Sequence, residues 1–85
     1  MDLGLGRQAI IVTGAASGIG AAIARTLASE GVGGLLLTDR DGQGLHRVAA
    51  GLRALAPVET VIADLSEPTA PAEIAGAALT RFGRI

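Results

Sequence analysis

The stretch Gln8-Ala9-Ile10-Ile11-Val12-Thr13-Gly14-Ala15-Ala16-Ser17-Gly18-Ile19-Gly20 decides the fold. Its first six residues form a short apolar run, rich in β-branched side chains, that stops at a glycine; this is the pattern of a strand buried on both faces. From Ile19 the apolar positions Ile19, Ala22, Ile23 and Leu27 recur at helical spacing, and Gly31 suits the left-handed position just past a helix end. Gly14, Gly18 and Gly20 therefore lie between a buried strand and a helix N-terminus. Glycine at such a junction lets the chain turn sharply, lets backbone N–H groups approach an anion, and lets the helix pack close to the strand. The positive end of the helix dipole favours a diphosphate at the same place.

Beyond this junction the same unit repeats. Gly33-Gly34 makes a turn, Leu35 to Thr38 a second buried strand, and Asp39 closes it. Asp41 to Leu55 reads as a helix with Leu45, Val48, Ala49, Leu52 and Leu55 on one face. Gly42, Gly44 and Gly51 each weaken that helix by roughly 1 kcal/mol, so tertiary packing must hold it. Pro57 ends it, Glu59 to Ala63 makes a third strand, and Ser66-Glu67-Pro68 carries the polar cap and proline of a third helix start. Ile74, Ala78 and Phe82 mark the buried face of that helix, which stops near Gly83; Arg84-Ile85 reads as the approach to a fourth strand. The large aliphatics cluster at Ile10 to Val12, Leu35 to Leu37, and Val58 to Ile62 with Leu65, and these are the expected core. The order β-α-β-α-β-α with short connections favours a parallel sheet with right-handed crossovers, an α/β fold of Rossmann-like, partially doubly wound type in strand order 3-2-1, truncated before strand four. Residues 1–85 are read as one dinucleotide-binding portion.

Composition narrows the function classes. A chain of 85 residues has room for one core, and its 49% hydrophobic content is less generous than it looks because seventeen of those residues are alanine. A net charge of −1 with dispersed arginines lacks the basic stripe of a nucleic-acid or anionic-membrane binder, so neither partner is expected. No apolar run has the length of a membrane span, and Met1-Asp2-Leu3-Gly4 lacks the basic and apolar regions of a secretion signal, so the expected location is cytoplasmic. The chain has no cysteine, and its one histidine, His46, lies among charged residues and glycines as a solvated surface side chain, so no metal site is expected. There is no lysine either, which excludes a Walker-type loop ending in Gly-Lys-Ser/Thr.

Asp39 at the end of strand two can accept hydrogen bonds from the adenosine ribose hydroxyls and would repel a 2′-phosphate, which favours NAD over NADP. Arg40, immediately after it, pulls the other way, because a guanidinium can hold that phosphate. Asp64 ends strand three at the same edge of the sheet; it reads either as a contact to adenine or as an ordinary turn aspartate. Ser17 has no neighbouring base to make it a nucleophile and reads as a hydrogen-bonding group for ribose or phosphate.

These residues together resemble the short-chain dehydrogenase/reductase family over the whole chain. The resemblance is carried by Thr13-Gly14-x-x-x-Gly18-Ile19-Gly20, by Asp39, by Asp64-Leu65 and by the tail Arg81-Phe82-Gly83-Arg84-Ile85. It implies a nicotinamide dinucleotide partner whose diphosphate lies on the glycine loop, assisted by Ser17 and the backbone of Ile19. Asp39 would select NAD, and Asp64, with Leu65, would lie beside adenine. It further implies hydride transfer to or from an alcohol or carbonyl, with an asparagine, a serine and a Tyr-x-x-x-Lys pair downstream. This sequence contains no asparagine, tyrosine or lysine, so no catalytic residue is assigned and the chain alone is expected to be inactive. The alternative is a stand-alone, non-catalytic nucleotide-binding or regulatory module. In the family-like order 3-2-1-4, the side of strand one next to strand four is open here, so the expected partners also include the missing C-terminal half or a second copy pairing through Ala9 to Val12.

Overall fold

The strand that organises the molecule is the second one, and every side chain from Gly34 to Thr38 in it is buried. The computed structural model describes residues 8–83. Its elements are β1 (Ala9–Thr13), α1 (Gly18–Ser29), β2 (Gly34–Asp39), α2 (Gly42–Leu52), β3 (Val58–Ile62) and α3 (Ala70–Phe82). β2 pairs in parallel with β1 on one side and with β3 on the other. The fold is α/β and Rossmann-like, with three parallel strands and three helices. The sequence readings of Met1 to Gly4 and of Arg84-Ile85 lie outside the described residues.

Alternation along β2 divides the core. Leu35 and Leu37 face a cluster with Ala24 and Ala28 of α1 and Leu45, Ala49 and Leu52 of α2. Leu36 faces the other way, against Ala70, Ile74 and Ala78 of α3, with Phe82 beside them. Helices on both faces explain why β2 is one uninterrupted apolar run. Leu35, Leu36, Leu37 and Leu45 are fully buried, each stabilising the fold by about 1.5–3 kcal/mol. The register sets Thr13 opposite Thr38 and Asp39 opposite Ile62, so the three strands end at a common edge. The β1–α1, β2–α2 and β3–α3 connections leave the sheet from that edge.

Several sequence expectations are corrected. The buried face of α1 is Ala21, Ala24 and Ala28, whereas Ile19 is 80% exposed and Ile23 47% exposed. The helix is apolar nearly all round, so periodicity could not choose the face, and close packing on the sheet selects the small side chains. α2 ends at Leu52 instead of Leu55; the backbone then turns through bonds to the Leu52 carbonyl, burying Ala56 and leaving Leu55 exposed. Ile62 and Leu65 are exposed as well, since β3 has a neighbour on one side only among the described residues and Leu65 lies beyond its end. Ile10 and Ile11 are only half-buried, so β1 is less enclosed than β2. β3 begins one residue earlier than expected, at Val58. Ser66-Glu67-Pro68 forms a turn, and α3 starts at Ala70 with Pro71 in its first turn.

Candidate functional site

The loop between β1 and α1 turns on two glycines in the left-handed region, Gly14 at φ 62° and Gly18 at φ 63°. Gly20 is required for a different reason. A Cβ there would sit 2.7 Å from the Gly14 carbonyl carbon and in harder collision with its oxygen, so only glycine lets α1 start this close to β1. Ser17 precedes the helix in extended backbone and makes no side-chain cap, and the first turn holds no acidic residue. Helix geometry leaves the N–H groups of Gly18, Ile19 and Gly20 without intrahelical acceptors, so the positive end of α1 is open to an anion.

Asp39 ties this loop to β2. One carboxylate oxygen accepts the Ala16 N–H at 3.0 Å and the other accepts the Asp41 N–H at 3.0 Å. A further bond from the Ala15 N–H to the Thr38 carbonyl, 3.1 Å, joins the same two segments. The Asp39 carboxyl is held below its ordinary value of 3.8, chiefly by the Asp41 N–H, next by the Ala16 N–H, and less by the charge of Arg40. Asp39 is therefore ionised at neutral pH, and each oxygen keeps a lone pair for a further donor. Asp64 forms a tighter local structure: it accepts the Ser66 N–H at 2.9 Å. That bond is the main cause of its lowered pKa, followed by the Ser66 hydroxyl and, last, Arg40.

Gly14, Asp39, Arg40, Asp64 and Leu65, singled out from sequence, line one cleft of about 220 Å³. Ser17, Gly18, Ile19 and Gly20 do not line it; they form the adjoining loop and helix start. Thr38 and Ala63 also line the cleft, and Ala16 supplies the N–H that anchors Asp39; sequence reading passed over all three. Thr38 had a signal, being the one polar residue in an otherwise apolar buried run, whereas Ala16 acts through its backbone and had none. His46 is exposed on α2, away from these residues. Among the described residues no three His, Cys, Asp or Glu side chains gather as a metal site, and no helix is long and apolar enough to cross a membrane.

Residues 8–85 match the short chain dehydrogenase family. The chain is 44% identical over 79 residues to 1-deoxy-11-beta-hydroxypentalenate dehydrogenase of Streptomyces exfoliatus, covering 92% of this chain and 28% of that protein. It is thus under a third of the length of such curated relatives. Its fold is similar to a short chain dehydrogenase/reductase from Burkholderia phymatum in complex with NAD, with a TM-score of 0.87 and 39% identity, covering 92% of this chain and 28% of that one. It is also similar to a metagenomic short-chain oxidoreductase in complex with NADP, with a TM-score of 0.81 and 42% identity, covering 92% of this chain and 35% of that one. Both cofactors therefore occur among the neighbours.

Proposed function

Because this chain belongs to the short-chain dehydrogenase family, we propose that its cleft and glycine loop form the nicotinamide dinucleotide site of an NAD-dependent oxidoreductase. Its diphosphate would lie on the uncapped start of α1, against the backbone of Gly14, Gly18, Ile19 and Gly20 and the hydroxyl of Ser17. The adenosine ribose hydroxyls would donate to Asp39, and adenine would sit beside Asp64 and Leu65. Bound there, the nicotinamide supplies or takes the hydride exchanged with an alcohol or carbonyl. The proton-transfer groups for that chemistry are not in this sequence, which has no tyrosine, lysine or asparagine. A fourth strand added at the free edge of β1, continuing the order 3-2-1, would supply the second wall of the nicotinamide half.

The observation that carries the choice of NAD is the state of Asp39. Its carboxylate is ionised and fixed by two backbone N–H groups at the rim of the cleft, where a 2′-phosphate would meet a full negative charge. Arg40 is exposed beside it and adds a positive charge, which softens the discrimination without reversing it. Fluorescence titration with NADH and NADPH tests this, and the absence of tryptophan and tyrosine keeps the cofactor signal clean. Binding of NADH about tenfold tighter than NADPH is expected, a difference of about 1.4 kcal/mol. Equal or tighter NADPH binding overturns the cofactor assignment, and binding of neither overturns the nucleotide reading.

A further inference from the structure

Three glycines weaken α2, and each has a different surrounding. A methyl added at Gly51 would meet nothing within 4 Å. One added at Gly42 would lie 2.8 Å from the end of the Ile62 side chain, which is 56% exposed and can rotate away. Gly44 is buried, and a methyl there would lie 3.1 Å from the Ala16 Cβ and collide with the Asp41 carboxylate. Both of these neighbours are tied down. The Asp41 side chain caps α2 by accepting the Gly44 N–H at 3.1 Å, and Ala16, itself buried, is bound through its N–H to Asp39 at 3.0 Å.

These contacts close a ring. Ala16 donates to one oxygen of Asp39, Asp41 donates to the other, Gly44 donates to the Asp41 side chain, and Gly44 lies against the Ala16 methyl. The ring joins the β1–α1 loop, the end of β2 and the start of α2 around the carboxylate that the nucleotide reading above gives to the ribose, and the inference rests on that reading. We propose that Gly44 is a positioning residue for cofactor choice: having no side chain, it lets α2 begin against Ala16 and so keeps the Asp39 carboxylate oriented to the adenosine ribose. A side chain at position 44 displaces the Asp41 cap and moves Ala16 by a few tenths of an ångström, which lengthens the Ala16 bond to Asp39. One carboxylate oxygen then swings. The ribose hydroxyls lose a fixed acceptor, and a 2′-phosphate no longer meets a fixed negative charge.

Gly44→Ala, Gly42→Ala and Gly51→Ala, compared with the unmodified chain by titration with NADH and NADPH, test it, with the Asp39 carboxyl followed by NMR as the pH is lowered. Gly44→Ala should cut the preference for NADH about three- to tenfold, by weakening NADH and not NADPH, as expected when one charge-assisted hydrogen bond is loosened. In the same variant Asp39 should titrate nearer its ordinary 3.8. Gly42→Ala and Gly51→Ala should keep the preference within about twofold, and adding Ala16→Gly to Gly44→Ala, which removes the opposing methyl, should bring it back to within about threefold. Equal weakening of both nucleotides by Gly44→Ala, or loss of its cooperative melt, makes Gly44 a packing residue; either overturns the inference and leaves the nucleotide reading standing. A preference lost as much in Gly42→Ala, or unrestored in the double variant, overturns it too. Failure of the unmodified chain to prefer NADH overturns the inference and the cofactor assignment together.

Discussion

Two strand-to-helix crossings meet at the same edge of the sheet, and they are held in different ways. The β1–α1 crossing is fastened to the neighbouring strand by the Ala15 and Ala16 N–H bonds to Thr38 and Asp39, and Gly20 locks the helix against the Gly14 backbone. The β3–α3 crossing touches β2 through the Ala63 N–H to the Asp39 carbonyl, 3.1 Å, and is otherwise braced by its own turns, with Ser66 and Glu67 both donating to Asp64 and Ala70 to Glu67. Among the described residues the first is tied to β2 by two such bonds, with its positive helix end exposed, and the second by one. Under the proposed function the first would hold the diphosphate and ribose and the second the base, and the difference ranks how much each change should matter.

The largest effect belongs to Gly20. Gly20→Ala pushes a methyl into the Gly14 backbone, which cannot move without releasing the Ala15 and Ala16 bonds, and about 3 kcal/mol of destabilisation is expected. In a chain this small that removes most of the folded population, as loss of a cooperative melt followed by circular dichroism. Asp39→Ala comes next: it strips the acceptors from Ala16 and Asp41 and should cost about 1–3 kcal/mol while narrowing or reversing the preference for NADH over NADPH. If instead Asp64→Ala destabilises more than Asp39→Ala in urea unfolding, the ranking of the two crossings is wrong.

Acid should act through the same carboxylates. Both Asp39 and Asp64 have folded values below the ordinary 3.8, so their stabilising contribution is complete above that pH and is lost as pH falls through the lower folded values. The urea midpoint should therefore drop between about pH 5 and pH 2, and drop less in Asp39→Ala. The smallest effect has the opposite sign. Gly51 lies exposed in α2 with open space around its Cα, so Gly51→Ala should stabilise by about 0.5–1 kcal/mol, where the same substitution at Gly20 is ruinous.

The β1–α1 crossing was legible in the sequence because backbone geometry itself demanded the residue types: glycine where φ is positive or the helix start presses on β1, and an acid where β2 ends. The pairing of Asp39 with Ala16 was not legible, since any residue supplies an N–H and only the fold brings position 16 to position 39. The β3–α3 crossing was read less well. The sequence pointed to a helix start at Ser66-Glu67-Pro68, and the helix instead begins at Ala70, which packs against Leu36. Faces of α1 failed for a related reason, because alanine and isoleucine are both apolar and only the spacing between helix and sheet distinguishes them.

The central claim is that the β1–α1 crossing is the anion-binding half of a nucleotide site, and backbone amide chemical shifts on adding ADP-ribose test it most directly. The largest shifts should fall on Ser17 to Gly20 and on Asp39 and Arg40, with smaller ones at Asp64 and Leu65 and none along the exposed end of α2. Shifts confined to the outer groove between β3 and α3, around Glu59 and Arg81, or no shifts at saturating ADP-ribose, would contradict it.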